Sequence, residues 1–449
     1  MLAAAGVAIG LSSLWSLPQL VLREGGGAFL LAYLLAVLVG ALPILLAEMA
    51  LGRRAGGALP RALQAGARSR LQACLWGIAG WVPVLAALLV LALFSLVAGW
   101  LLAYLPRALA GNLNGLTPQG AVSVFSALVT DPERGLAWHT LATLATVAVV
   151  ARPLRRGLQP LVCLAVPTVL ALLLVLVAHA ASQPGFTEAV ARLFLPDFTR
   201  LGVFGIWSAV KLAFFSLAAG LGAMTVLASH LPPAARIGRL AVGVLVLDLL
   251  ASLLALLALV PPVLAAGLEP GTGTQLLFER VLAAFGALPE GRPLLTVLFL
   301  AAFLVSLTSM AGLAETLVAS MMSMFGWHRR QAILVAAGLW WLLGLGALLS
   351  FNVWSAARLW GRSPYELLDA VSSQLLIPVA ALLILVHAAW ILARDADPRA
   401  VGLGRTGFRL WRLAARYLAP VLAGAVLLAG SGIFAELERL LLWALAGTW

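Results

Sequence analysis

The sequence predicts an all-α polytopic membrane protein of about eleven spanning helices, two of them interrupted near mid-depth. Three observations carry that prediction. The 449 residues are 63% hydrophobic and only 10% charged, against about 25% charged for a soluble domain. The apolar residues fall in runs of the roughly 20 needed to cross a hydrocarbon core. Two of those runs hold the same small-residue, glycine-bearing interruption.

In order, the spans read as 2–22, 28–51, 73–105, 136–151, 159–181, 202–229, 237–266, 293–325, 331–350, 366–393 and 414–434, with a weaker apolar tail at 440–449. Span one is odd at once. "GVAIGLSSLWSLP" (6–18) carries no charge, yet it contains two glycines, adjacent serines and a proline. It does not read as a secretory leader, because it lacks a basic start and a further apolar run begins just after Glu24.

The loops between spans set the expected orientation. Arg53, Arg54, Arg61, Arg68 and Arg70 follow span two, and Arg152, Arg155 and Arg156 follow span four. Arg236 and Arg239 follow span six, Arg329 and Arg330 follow span eight, and 394–412 is basic after span ten. The opposite loops are near neutral. This predicts a cytoplasmic N-terminus in the inner (cell) membrane, and it makes the net charge of +12 a topology signal rather than a nucleic-acid footprint. Two opposite loops are long, 106–135 and 267–292, and long loops often serve as lids. The second contains "GTGTQLLFERVLAAF", which reads as a short surface helix between Gly/Pro-rich stretches.

Span six repeats the oddity of span one. "AIGLSSLW" (8–15) is echoed by "AAGLGAMT" (218–225), as expected if spans one to five and six to ten form two repeats. Breaking a helix at mid-depth frees backbone groups that cost several kcal/mol each if they face lipid. Interrupted helices in matching places of two halves therefore point to a transporter's central site. The bland alternative is that glycines merely permit close helix packing; two aligned stretches with hydroxyls nearby favour the site.

Ordered blocks along residues 1–395 resemble the neurotransmitter:sodium symporter family, which includes the bacterial leucine transporter. They are "AAGVAIGLSSLWSLP", "REGGGAFLLAYLLAVLVGALPILLAEMALGRR", "FFSLAAGLGAMTVLASH", "LVLDLLASLLALLALVPP", "FLVSLTSMAGLAE" and "YELLDAVSSQLLIPVAALL". The resemblance implies a 5+5 inverted repeat with discontinuous helices one and six, an architecture for which this family is itself the standing example. It implies repeats at 1–181 and 182–394, with 395–449 as an added C-terminal helix and tail.

The resemblance also implies one or two sodium sites. Its second site maps to the carbonyls of Gly6, Ile9 and Val305 with the hydroxyls of Thr308 and Ser309. Its first site maps to the Ala8 carbonyl, Ser13, Ser216 and Asp248, with Ser13 where the family usually has asparagine. An intramembrane carboxylate such as Asp248 is a functional hypothesis by default; either a cation keeps it ionised or it carries a proton. Ser252 and Tyr33 match positions of the chloride-dependent relatives, but Leu212 replaces a glutamine there, so chloride is expected to be dispensable.

The substrate pocket implied by the resemblance reads Val90, Phe94, Phe215, Ala218, Leu221, Ser309 and Leu313, almost wholly apolar. A substrate amine could bond the carbonyls of Ala8, Phe215 and Ser216, and a carboxylate the N–H groups of Leu11 and Ser12. Phe94 stands where the family has a substrate-touching tyrosine. The family's outer-gate arginine is Ser16 here, while its aspartate survives as Asp369. Lys211, the only lysine in the chain, lies roughly 13 Å into span six at 1.5 Å per residue. A lysine at mid-span costs about 2.5–3.5 kcal/mol, and pairing with Asp369 across an outer gate would offset it; Asp248 is the rival partner, and a wet vestibule the bland reading. The family's inner-gate aspartate is Ser323, and its cytoplasmic Arg-Trp segment has no counterpart, which suggests a short N-terminus.

The expected function is sodium-coupled uptake of a hydrophobic amino acid or related small amine by alternating access. The alternatives are a proton-coupled carrier using Asp248 and a transport-inactive sensor. An enzyme is disfavoured: the five histidines show no metal-ligand spacing, and Cys74 and Cys163 sit in apolar segments.

Overall fold

In a computed structural model of the chain, residues 2–10, 12–232, 234–269, 271, 273–391 and 402–430 are described. The side chains of Ser12 and Ser13 lie outside that description, as do Leu11 and the apolar tail at 440–449. Nine helices among the described residues are long and apolar enough to cross a membrane. They are Gly27–Ala55, Arg70–Leu109, Leu158–Ala181, Val203–Ser229, Ile237–Ala265, Gly291–Phe325, Arg329–Leu349, Pro364–Ile391 and Arg405–Ala429. The other two expected spans are a broken one and a shorter one. Span one is two rods, Leu2–Ala8 and Ser12–Arg23. Span four is the 19-residue helix Pro132–Val150.

Local chemistry explains several helix starts. The Asp131 carboxylate accepts the backbone N–H groups of Glu133 and Arg134, with Pro132 in the first turn. Ser363 and Glu366 form a reciprocal capping box ahead of span ten. Span three departs from its expected start. The helix Arg70–Ala79 meets Trp81–Leu109 at Gly80, where a Cβ would lie 2.4 Å from Pro60 Cα. Residues 73–79 therefore belong to a separate short rod with exposed Leu75 and Ile78.

Spans three and eight form the centre of the bundle and pack on each other. Spans five and seven turn apolar side chains such as Leu164, Leu174 and Val246 outward, as a lipid-facing surface requires. Small residues set the closest approaches. A Cβ at Gly312 would lie 2.4 Å from Val7 Cγ2, and one at Gly6 2.3 Å from Val162 Cγ1. Those two glycines let the first rod of span one press between spans eight and five.

The long 267–292 loop does contain helix, Leu276–Val281 running into Leu282–Gly286. It is not a surface helix. Leu276, Leu277, Phe278, Val281, Leu282 and Phe285 are fully buried. Phe278 stacks on Phe125 at 4.9 Å and meets Trp100 and Tyr104 at 5.9 and 5.3 Å. Aromatic area buried against span three outweighs the polarity of the flanking glycines and threonines.

Candidate functional site: two helix breaks around buried oxygens

Both expected breaks are present. The first rod of span one ends at Ala8, although the Ile9 N–H still donates to the Ala5 carbonyl at 2.8 Å. Gly10 is non-helical, and helix resumes at Ser12. Span six stops at Phe215, makes a tight turn over Ser216–Ala218 and resumes at Ala223. Leu217 and Ala218 have φ of +60° and +48°, and Gly220 and Gly222 +84° and +73°. Left-handed backbone at a residue other than glycine costs on the order of 1–3 kcal/mol, so surrounding structure must hold the turn.

Glu48 of span two helps hold it. The Gly220 N–H donates to Glu48 Oε1 at 2.6 Å, and the carboxylate is fully buried. Sequence reasoning did not single out Glu48. The signal was available: a lone carboxylate in "PILLAEMALG" is an intramembrane charge, which needs a partner.

Between the breaks, several of the residues expected to hold ions meet. Ser309 Oγ donates to the Ile9 carbonyl at 3.0 Å across 300 residues of sequence. Thr308 Oγ1 donates to the Val305 carbonyl at 3.0 Å. Gly6 lies three residues before Ile9 on the same rod, buried like all of these groups. The second cluster joins residues 32 positions apart, Ser216 Oγ donating to Asp248 Oδ2 at 2.7 Å. Asp248 is 1% exposed, and its Oδ1 has no hydrogen-bond partner among the described residues. Tyr33 lies beside both. Leu212 and Ser252 are buried too, and Ala8 is on the first rod. The expected roles of the Leu11 N–H and the Ser13 hydroxyl fall outside the described residues.

All seven expected pocket walls line one small cavity. Val90, Phe94, Phe215, Ala218, Leu221, Ser309 and Leu313 enclose about 20 Å³ together with Val7, Ala8 and Gly10. A second cavity of about 380 Å³ lies beyond it, sharing Val90, Phe94 and Phe215 as walls. Trp15, Ser16, Gln19, Lys211, Tyr365 and Asp369 line its wider part. The two phenyl rings thus stand between a wide vestibule and the small pocket.

Lys211 and Asp369 share that vestibule but do not form a direct ion pair. The ion pairs among the described residues are Arg23–Glu24, Arg134–Asp131, Arg200–Asp197 and Arg329–Glu315. Lys211 does not pair with Asp248 either. The 267–292 loop is tied to span one at the vestibule wall, since the Gly273 N–H donates to Gln19 Oε1 at 2.6 Å.

At the arginine-rich end, Ser323 donates among the described residues only to its own helix, at the Ser320 carbonyl. A different clamp stands nearby, and the sequence reading missed it. Arg329 donates to both oxygens of the buried Glu315, at 3.0 and 2.5 Å. The same guanidinium donates to the carbonyls of Val150 at 2.8 Å and Arg152 at 3.0 Å. One side chain of span nine thereby joins span eight to the free carbonyl end of span four.

Helices broken at mid-depth around buried oxygens mark secondary transporters, which bind ion and substrate where the backbone unwinds; that is the class this fold defines. A model described as the sodium:neurotransmitter symporter family matches residues 1–118 and 133–438. The chain belongs to that family and is a sodium-dependent transporter with several membrane-crossing helices. It is 31% identical over 427 residues to the uncharacterized sodium-dependent transporter YhdH of Bacillus subtilis, covering 94% of this chain and 93% of that protein. It is 26% identical to the uncharacterized sodium-dependent transporter MJ1319 of Methanocaldococcus jannaschii, covering 96% and 87% of the two chains. The crystal structure of MhsT in complex with L-phenylalanine superposes with a TM-score of 0.85 at 29% identity, covering 96% and 97%. These relatives are transporters, not enzymes.

Proposed function

We propose that the protein is a symporter that couples sodium entry to uptake of a hydrophobic amino acid or a related small amine. The observation that carries this reading is the meeting of Ser309 Oγ with the Ile9 carbonyl at the span-one break. Neutral oxygens from two helices, with Thr308, Val305 and Gly6 nearby, suit a weakly demanding monovalent cation. A second sodium is held by Ser216, Asp248 and the Ala8 carbonyl, with Ser13 completing the set. The unpartnered Asp248 Oδ1 supports that assignment, because an orphaned carboxylate oxygen in a buried site calls for a cation or a proton. Asp248 also supplies the fixed negative charge, so chloride is not required.

The substrate side chain occupies the pocket walled by Val90, Phe94, Phe215, Ala218, Leu221 and Leu313. Its amine bonds the carbonyls of Ala8, Phe215 and Ser216, and its carboxylate uses the N–H groups at Leu11 and Ser12. The bound L-phenylalanine of the MhsT structure supports an amino acid of this kind. Since only about 20 Å³ is open, little more than one water's space, Phe94 and Phe215 must rotate or the breaks must move for entry. Lys211 and Asp369 close the vestibule above the loaded pocket. Spans one, two, six and seven rock against spans three, four, eight and nine, within repeats 1–181 and 182–394. The N-terminus is cytoplasmic in the inner membrane, and the membrane potential then contributes about 2.3 kcal/mol per sodium per 100 mV.

Uptake into proteoliposomes decides the reading. An inward sodium gradient should drive accumulation of a hydrophobic amino acid or amine found by a thermal-shift screen, with or without chloride. Uptake driven equally by a pH gradient in potassium would transfer the coupling to a proton on Asp248, and sodium-dependent binding with no uptake would make the protein a sensor.

A further inference from the structure

At the arginine-rich end of the bundle, away from both breaks, a cavity of about 190 Å³ lies between span two, the 59–64 helix and the end of span ten. Its walls are of two kinds. Arg54, Arg68 and Gln72 are polar and basic, while Leu51, Trp76 and Ile391 are apolar. Among the described residues no acidic side chain lines it, and neither arginine forms an ion pair.

His387 is also part of the wall, at 1% exposure. Its Nε2 meets the Leu63 carbonyl at 2.9 Å, and a carbonyl can only accept, so this nitrogen carries the proton. Nδ1 is left as a buried acceptor with no partner among the described residues. Trp76 holds the ring edge-on, with centroids 4.9 Å apart. Gln72 Oε1 already accepts the Arg68 backbone N–H at 3.0 Å, which leaves its NH₂ group to donate. The cavity therefore combines two guanidinium groups and an amide donor, with the fixed His387 ring as part of its wall.

We propose that this cavity binds a phosphate group. Guanidinium forks match the spacing of phosphate oxygens and give charge-assisted pairs. The apolar walls suit the carbons that carry the phosphate. The same group is offered by free phosphate and by the headgroup of an anionic phospholipid. Bound here, it would bridge span two to the segment that carries Arg68 and Gln72. The proposal does not depend on which solute the central pocket carries.

The test uses the purified full-length protein, stripped of lipid in detergent, and follows binding by native mass spectrometry and thermal shift. The probes are inorganic phosphate, and mixed micelles containing phosphatidylglycerol or phosphatidylcholine. Phosphate or phosphatidylglycerol should bind saturably, and Arg54→Gln with Arg68→Gln should weaken that binding at least tenfold while leaving the sodium-induced shift unchanged. Saturation by phosphatidylglycerol alone identifies a lipid headgroup, and saturation by inorganic phosphate alone a free anion. Binding of wild-type strength in the double variant, or no preference for phosphatidylglycerol over phosphatidylcholine together with no phosphate binding, overturns the proposal.

Discussion

The Gly220 N–H points at Glu48 Oε1 from 2.6 Å away, so a carboxylate of span two is bonded to the unwound backbone of span six. This bond satisfies an amide that helix geometry would otherwise have paired. Glu48→Leu removes the acceptor and should cost about 1–3 kcal/mol, the range for stranding a buried donor. Glu48→Gln keeps one oxygen and should fold normally with reduced transport. Thermal unfolding and uptake of the two variants check this; equal midpoints for Leu and wild type would show that the bond holds nothing.

Ser309 and Thr308 should govern sodium affinity. Ser309→Ala and Thr308→Val each remove one oxygen while keeping the helix. Each should raise the sodium concentration for half-maximal thermal shift about tenfold, which corresponds to about 1.4 kcal/mol. Unchanged sodium titrations in both variants would remove the ion from this place.

Lys211 and Asp369 share a vestibule without a direct ion pair among the described residues, so the gate proposed for them would have to close on loading. Lys211→Asp alone and Asp369→Lys alone should each abolish uptake, and the two together should restore part of it. A folded but inactive double variant, judged by gel filtration, would separate the two residues.

The Arg329–Glu315 pair should matter for stability more than for ion selectivity. Breaking a buried pair typically costs about 3–5 kcal/mol, and less is expected here because Arg329 keeps 21% of its side chain exposed. Glu315→Gln should therefore lower the unfolding midpoint, with the sodium titration unmoved. Replacing both residues by leucine should recover part of the loss, though the carbonyls of Val150 and Arg152 would still lack a donor.

Gly312→Val would drive a side chain into Val7, where even a Cβ would lie 2.4 Å from Cγ2. Overpacking of this kind costs about 1–3 kcal/mol, and the displaced rod carries Gly6 and Ala8. Uptake should fall and sodium affinity with it; wild-type uptake would mean that the rod is free to retreat.

Much of this was legible in the residues alone. Apolar runs as long as a bilayer is thick admit few alternatives, so most spans fall within a few residues of their expected bounds. The two breaks announced themselves as glycines and serines where an unbroken ladder was wanted, and five of the seven cavity walls, Phe215, Ala218, Leu221, Ser309 and Leu313, lie in the family blocks. What stayed hidden were relationships between distant segments: Glu48 with Gly220, Arg329 with Glu315 and the end of span four, and the burial of 276–286 under an aromatic cluster. Hydrophobic periodicity reports how a helix faces its own surroundings, not which helix stands opposite or at what depth. Lys211 shows the limit from the other side, since a lone mid-span lysine and a surviving aspartate suggested a pair, and the two line one vestibule without a direct ion pair among the described residues.

The sequence by itself determined that the chain crosses a membrane many times and must unwind twice within it, because apolar length and helix-breaking composition are properties of single segments. Which oxygens then meet, and which charges remain unpaired, was decided only by tertiary packing, because contacts between residues 172 or 300 positions apart depend on how the helices cross and not on any one of them alone.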